Sequence, residues 1–396
     1  MKNKLLGSIL IIAGSCIGGG MLAMPIIAAG VGFIGIASLL ILIWIAMCGS
    51  ALLMVRVYEF NNQEDGFNSL TQKYLGSFGN RIAGFSLLFL IYGLTAAYMS
   101  GGGSIVSNFL ETIFGLSINP QLSVLLFSVI FGGIVSISTQ WIDGATRALF
   151  IIKLVFLALL ILAFIPFIKG ENLLNMPLEK GLIITSIPII FTSFGFHGSI
   201  PSIVLYLGGN QKKIRLAFIW GSLLPLIIYL LWQFAVLGSL EQNTFMVFLK
   251  DDAGLDGLIN SIREMAHNPK INLFFSIFAA TALGTSFLGV SVGLLDYYRD
   301  LLKEGKLLSL RLKASLLTFV PPLLFALFYP KGFLLALSYA ALAGVILALV
   351  IPALLYYKAM RIHKLKIGIL QYSLLLLIGI LSLSVFVAHF YELIIS

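Results

Sequence analysis

A chain of 396 residues would ordinarily fold into two or three soluble domains, but 59% of these residues are hydrophobic and only 10% are charged. Soluble proteins carry about 25% charged residues because their surfaces face water. Together with a mean hydropathy of +1.04, this composition excludes a soluble protein. We therefore predict a polytopic membrane protein.

The sequence contains few of the residue patterns that bind metals or cofactors. The two cysteines, Cys16 and Cys48, lie in apolar runs, and the chain has no CxxC motif, zinc-ligand spacing or disulfide framework. The sequence therefore predicts no metal site and no cofactor. The first residues lead directly into an apolar stretch without a cleavage motif, which indicates a retained first span.

Eleven apolar stretches are long enough to be membrane-spanning helices. About 20 residues are needed to cross the hydrocarbon layer, and the chain lacks the two-residue alternation of a membrane β-barrel. We predict an all-α membrane protein with a single transmembrane domain, residues 1–396. The stretches are approximately 5–30, 33–56, 81–108, 121–139, 147–168, 183–207, 216–238, 271–295, 313–329, 332–357 and 368–392.

The placement of the basic residues predicts the orientation. With a cytoplasmic N-terminus, 19 of the 25 Lys and Arg residues fall on the inner side, as the positive-inside rule requires. An odd number of spans then places the C-terminus outside. Topology explains the net charge of +9, so no nucleic-acid partner is predicted and the lipid bilayer is the expected environment.

The longest outer loop, about residues 239–270, contains an amphipathic pattern. Its apolar residues recur at helical spacing, which predicts a helix. The helix is interpreted as lying on the membrane surface, with a moving lid as the alternative. The residues are Leu255, Leu258, Ile259, Ile262 and Met265.

The first span carries a cluster of helix-breaking residues. Gly14 and the run Gly18-Gly19-Gly20 are followed by Pro25, and each glycine costs about 1 kcal/mol relative to alanine in a helix. Close helix packing through Gly14 and Gly18 is the alternative explanation, but it does not require three consecutive glycines. The cluster predicts an unwound segment that lines a protected cavity.

The sixth span repeats this design between Phe194 and Pro201, with Gly195 and Gly198 between them. Each break lies in the first span of a block of five spans. The blocks are about 5–168 and 183–357, and an extra helix follows at about 368–392. Because five is odd, the second block must be inverted relative to the first. Matching interrupted spans in two inverted halves are the best sequence indicator of a transporter binding site.

The chemistry of the breaks predicts the ligand. A half-helix that begins after a break offers free N–H groups to a carboxylate, while one that ends there offers carbonyl groups to an ammonium. A zwitterionic amino acid carries both charges. The predicted substrate-binding residues are Ser15, Cys16, Ile17, Gly18, Gly19, Tyr98, Phe194, Gly195, Phe196, His197 and Phe287, with Tyr92 and Tyr339 as further candidates.

Five segments resemble motifs of the hydroxy and aromatic amino acid permeases, and the similarity extends over the whole chain. The resemblance implies a five-plus-five inverted repeat of the amino acid–polyamine–organocation type, an inner-membrane location and inward symport with protons. Within the family, the chain looks most like the tyrosine-specific branch rather than the tryptophan carriers. The segments are residues 18–25, 98–103, 194–201, 285–290 and 319–322.

All sixteen acidic residues fall at or beyond span ends, whereas the ionisable residues Lys153 and His197 lie inside predicted spans. Lys153 either snorkels to the inner surface or occupies a cation site with Thr285 and Ser286, where the resemblance implies that a lysine replaces bound sodium. His197 either satisfies backbone groups freed by the break, or it contacts a phenolic hydroxyl of the substrate or exchanges a proton.

The sequence thus predicts a secondary active transporter that imports aromatic amino acids, L-tyrosine first, with protons and by alternating access. The alternatives are a sodium-coupled carrier and a broader specificity for tryptophan and phenylalanine. A membrane-embedded enzyme or sensor is the alternative of another class, but the chain has no HExxH, nucleophile motif or soluble output domain. The oligomeric state stays open.

Overall fold

The computed structural model describes residues 3–137, 139–177, 180–241, 243, 246–247, 254–302 and 307–395, and this part of the chain is helical. Its helices are α1 (Lys4–Cys16), α2 (Gly19–Ala28), α3 (Gly32–Tyr58), α4 (Phe67–Phe114), α5 (Pro120–Ile137), α6 (Thr139–Phe164), α7 (Gly170–Leu174), α8 (Lys180–Ser193), α9 (Ile200–Tyr206), α10 (Gln211–Ser239), α11 (Leu255–Ala266), α12 (Pro269–Leu302), α13 (Leu307–Phe328), α14 (Phe333–Val345), α15 (Ile351–Ile362) and α16 (Ile369–Ile395). A π-helical segment, Ile346–Val350, joins α14 to α15.

Eight helices in the described residues are long and apolar enough to cross a membrane, and the bent pair α1 and α2 can form a ninth span. Two shorter apolar helices, Pro120–Ser136 and Leu312–Phe328, coincide with the predicted fourth and ninth spans. The helix α4 contains one break, at Gly76, whose φ of 71° favours glycine. The prediction of a multi-helix membrane protein is therefore confirmed.

Both predicted helix breaks are present. The helix α1 ends at Cys16 and α2 begins at Gly19 after two extended residues, with a bend of 51° between the two helices. The helix α8 ends at Ser193, and a short 3₁₀ turn precedes α9. The uninterrupted helix that the close-packing explanation requires is therefore excluded for the first span.

The core surrounds these breaks. The helix α1 packs along α10, α2 packs against α8, and α12 packs against both α4 and α6. The residues at the breaks, among them Cys16, Ile17, Phe194 and Phe196, belong to one buried cluster and are at most 3% exposed. The two interruptions therefore lie together inside the helix bundle and do not face lipid.

The predicted outer-loop helix is α11, but its apolar face does not rest on lipid. Leu258 and Ile262 are fully buried against protein, and α11 packs on α12, α2 and α4. Arg263 Nη2 donates a hydrogen bond to Asn108 Oδ1 of α4 at 2.7 Å. The membrane-surface interpretation is wrong, because neighbouring helices offer α11 an apolar surface and a polar partner.

Eight charged residues lie outside the described residues. They were used to predict the orientation or to place the acidic residues relative to the spans. These residues are Lys2, Glu179, Lys250, Asp251, Asp252, Lys303, Glu304 and Lys306.

Candidate functional site

The first break is held against α12 through its glycines. The Gly19 N–H donates to Ser286 Oγ at 3.1 Å, and a Cβ on Gly18 would overlap that same oxygen. A Cβ on Gly19 would lie 2.6 Å from the ring of Tyr98. Close approach therefore requires glycine here. The N-cap residue Gly18 supplies no side-chain acceptor, so the backbone N–H groups at this end that Ser286 does not bind suit an anion.

Lys153 reaches the first break from α6. Its Nζ donates to the carbonyl of Ile17 at 2.5 Å and to Thr285 Oγ1 at 3.1 Å, and its side chain is 1% exposed. The predicted cation site among the first, fifth and eighth spans is therefore assembled around an amine. Snorkelling to the inner surface is wrong, because a backbone carbonyl freed by the break offers this amine a buried acceptor.

Tyr229 connects the two breaks. Its hydroxyl oxygen lies 2.6 Å from the carbonyl oxygen of Cys16 and 2.7 Å from that of Ser193, which are the last residues of α1 and α8. One hydroxyl proton can serve only one of these acceptors at a time. The Tyr229 ring also meets Phe194 edge to face at a centroid distance of 5.3 Å, so this residue holds the carbonyl ends of two half-helices close together.

Sequence reasoning missed Tyr229. The signal was a lone tyrosine within the otherwise apolar stretch of α10, and a buried phenol requires a hydrogen-bond partner. Nothing in the sequence indicated that its partners would be the two breaks, since they lie 213 and 36 residues away.

The second break presents aromatic rings and one unpartnered histidine. Phe194 and Phe196 are fully buried, and the Phe196 ring stacks on His197 at 4.7 Å. His197 is 7% exposed, yet neither ring nitrogen has a hydrogen-bond partner. It therefore does not satisfy backbone groups freed by the break. A Cβ on Gly198 would meet nothing within 4 Å, so open space adjoins this segment, and Gly195 is exposed there too.

The structure does not bring Phe287 to the breaks. Its ring lies in an aromatic cluster with Phe127 at 5.6 Å and Phe319 at 5.8 Å. Successive helical residues differ by about 100° in direction, so Ser286 faces the first break while Phe287 faces α5 and α13. The prediction of a substrate contact at Phe287 is not supported, because packing between helices accounts for it.

The side chains of three other aromatic or polar candidates are engaged in contacts outside the breaks. Ser15 is exposed, and its hydroxyl donates to a carbonyl of its own helix. The Tyr92 hydroxyl lies 2.5 Å from that of Tyr298, and the Tyr339 ring packs edge to face on a histidine of α16 at 4.4 Å. Of the predicted aromatic residues outside the second break, only Tyr98 touches the first.

Removing the Tyr229 hydroxyl tests its bridging role. In Tyr229→Phe, one break carbonyl loses its donor while the ring packing on Phe194 stays. Leaving a buried acceptor unpaired costs about 1–3 kcal/mol, so we expect the KM of the substrate to rise roughly tenfold with little change in maximal rate. Uptake kinetics of purified protein in liposomes measure this, with Tyr206→Phe, an exposed tyrosine at the end of α9, as the control. An unchanged KM contradicts the bridging role.

Two interrupted helices that meet inside a bundle of membrane-spanning helices define a class of protein, the membrane transporter whose site is built from broken helices. The comparisons with known proteins agree. The profile of the tryptophan/tyrosine permease family matches residues 1–390. The chain belongs to this family, and it is therefore a transporter and not an enzyme.

The chain is similar to named relatives over nearly its full length. It is 43% identical to tyrosine-specific transport system 1 of Haemophilus influenzae, covering 97% of this chain and 96% of the relative. It is 35% identical to the tryptophan-specific transport protein of the same organism, covering 96% and 94%. Its fold is similar to the crystal structure of MhsT in complex with L-phenylalanine, with a TM-score of 0.68, 14% identity and 98% of each chain covered.

Proposed function

We propose that this protein is a secondary active transporter that imports aromatic amino acids, L-tyrosine first, by proton symport and alternating access. The observation that carries this proposal is the contact between the Lys153 amine and the Ile17 carbonyl inside the first break. This contact connects an amine that can bind and release a proton with the backbone that lines the proposed binding site. The relatives support the substrate class through their names.

In this proposal the substrate lies between the two breaks. Its ammonium is held by carbonyl groups at the ends of α1 and α8, and its carboxylate by the uncapped N-terminus of α2 near Gly18 and Gly19. The carbonyl groups lie at the negative C-terminal ends of half-helices and the N–H groups at a positive N-terminal end. The helix dipoles therefore favour the ammonium at the first and the carboxylate at the second. The aromatic ring is packed by Tyr98, Phe194 and Phe196.

The preference for tyrosine is supported by two observations. The identity to a tyrosine-specific transport system is 43%, against 35% for a tryptophan-specific protein. His197 has two buried ring nitrogens without a partner, and such a group is costly unless a ligand satisfies it. A phenolic hydroxyl supplies both a donor and an acceptor.

The proposed topology has eleven crossings in one domain, with α5 and α13 as the fourth and ninth. Blocks 5–168 and 183–357 are inverted repeats, and the extra helix at 368–392 corresponds to α16. The protein lies in the bacterial inner membrane, with its N-terminus in the cytoplasm and its C-terminus outside. The uneven distribution of Lys and Arg supports this orientation.

A competition panel tests the substrate class. Uptake of labelled tyrosine into proteoliposomes is challenged with unlabelled tryptophan, phenylalanine and leucine, and we expect both aromatic competitors to inhibit more strongly than leucine. Dominant inhibition by leucine overturns the aromatic assignment. Inhibition by tryptophan and phenylalanine that is as strong as inhibition by unlabelled tyrosine instead favours the broader specificity over tyrosine.

His197 provides a sharper test of tyrosine preference. In His197→Phe we expect the KM for tyrosine to rise about tenfold while that for phenylalanine stays within about twofold, because a site that hydrogen-bonds a hydroxyl discriminates against the analogue lacking it. Gly198→Ala is the matched control, since its Cβ enters open space. Parallel changes for both substrates remove His197 from hydroxyl recognition.

A further inference from the structure

A groove separate from the helix breaks lies between α3, α15 and α16. Its volume is about 570 Å³. Its wall is mainly apolar and includes Leu52, Leu53, Met360 and Leu374. The groove is separate from the proposed transport site, because neither break contributes a lining residue.

Three basic side chains line this groove: Arg56, Arg215 and Lys366. Arg56 and Arg215 both bind the carboxylate of Glu59, the latter at 2.6 Å. One carboxylate cannot neutralise two guanidinium groups, so the groove keeps a net positive charge of two when Lys366 is included. The two arginine side chains are 43% and 49% exposed, which leaves N–H groups available to a further anion.

The groove extends from the two arginines toward the middle of α3. Gly49 and Arg56, which both line it, are seven helical steps apart on α3, which corresponds to about 10 Å along a helix. At the deep end α16 approaches α3 closely, because a Cβ on Gly49 would lie 2.5 Å from Leu374 Cδ1. A ligand that fits must therefore have an anionic head and an apolar tail.

We propose that this groove binds one anionic phospholipid. Its phosphate group lies among Arg56, Arg215 and Lys366, and an acyl chain lies along Leu52 and Leu374. The charge is complementary, since basic groups at the membrane boundary attract anionic lipid heads. The apolar wall is needed only for a lipid, because a free phosphate ion would gain nothing from it.

The proposal is tested with phosphatidylglycerol and the full-length protein. Native mass spectrometry counts retained lipid, and uptake is compared between liposomes with and without phosphatidylglycerol in a neutral background. We expect Arg215→Gln with Lys366→Gln to weaken lipid retention about tenfold and to remove any stimulation of uptake by phosphatidylglycerol. Leu52→Trp keeps every charge but fills the groove, and we expect it to weaken retention as well.

A matched control removes two charges elsewhere on the basic side. Lys212→Gln with Lys313→Gln changes two exposed lysines that do not line the groove, and we expect wild-type lipid retention. Equal loss in this control, or wild-type retention in the groove variant, overturns the proposal. Displacement of the lipid by millimolar inorganic phosphate, or wild-type retention in Leu52→Trp, would show a free-anion site and also overturn it.

Discussion

Replacing Lys153 with alanine is expected to abolish accumulation of substrate against its gradient. The Lys153 amine donates to the Ile17 carbonyl at the break and to Thr285, and no other lysine or arginine is buried among the described residues. When the amine gives up its proton, it becomes a weaker donor to that carbonyl. In the proposed mechanism, protonation is thereby linked to the backbone that lines the proposed substrate site.

The expected effect is a loss of at least a hundredfold in uptake driven by a pH gradient. Exchange of external labelled tyrosine for internal unlabelled tyrosine needs no net proton movement and should persist within about tenfold. Both are measured in the same proteoliposomes, with Lys169→Ala, an exposed lysine, as the control. Coupling to the pH gradient that survives in Lys153→Ala removes this lysine from the mechanism.

Adding a methyl group at Gly18 is expected to reduce uptake at least tenfold. A Cβ at this position overlaps Ser286 Oγ, and overpacking of this kind costs about 1–3 kcal/mol. The overlap disturbs the break itself, because Ser286 also accepts a hydrogen bond from the Gly19 N–H. Initial rates of tyrosine uptake at equal protein levels in the membrane measure the loss.

A second substitution distinguishes this local overlap from general misfolding. Removing the hydroxyl in Ser286→Ala leaves the Gly18 Cβ at 3.4 Å from the Ser286 Cβ, an ordinary contact. We expect the double variant Gly18→Ala, Ser286→Ala to recover several-fold over Gly18→Ala, although Ser286→Ala alone loses a hydrogen bond worth about 1 kcal/mol. Additive losses contradict the contact between these residues.

The sequence was most informative where lipid restricts the backbone. Clustered glycines inside an apolar span are costly unless the helix is interrupted, so both breaks could be predicted from the sequence. Pro25 itself lies inside α2 and not at the break. The neighbourhood of Lys153, Thr285 and Ser286 was predicted through family resemblance. In the structure Lys153 contacts Ile17 and Thr285, and Ser286 contacts Gly19.

The remaining differences have physical causes. Phe287 was a candidate because an aromatic side chain on the eighth span could contact the substrate, but one helical step turns its ring toward Phe127. Tyr229 was missed because its bonds to Cys16 and Ser193 depend on tertiary packing. Arg56 was counted only as a topology signal, since a single sequence does not show that it shares Glu59 with a distant arginine.

Ion-gradient uptake in proteoliposomes tests the central claim most directly. Labelled tyrosine is offered to vesicles that carry either an inward proton gradient without sodium or an inward sodium gradient at equal pH on both sides. The proton gradient should drive transient accumulation that a protonophore abolishes, while the sodium gradient should drive none. Accumulation under sodium alone, unaffected by the protonophore, would contradict the assignment of the cation site to the Lys153 amine.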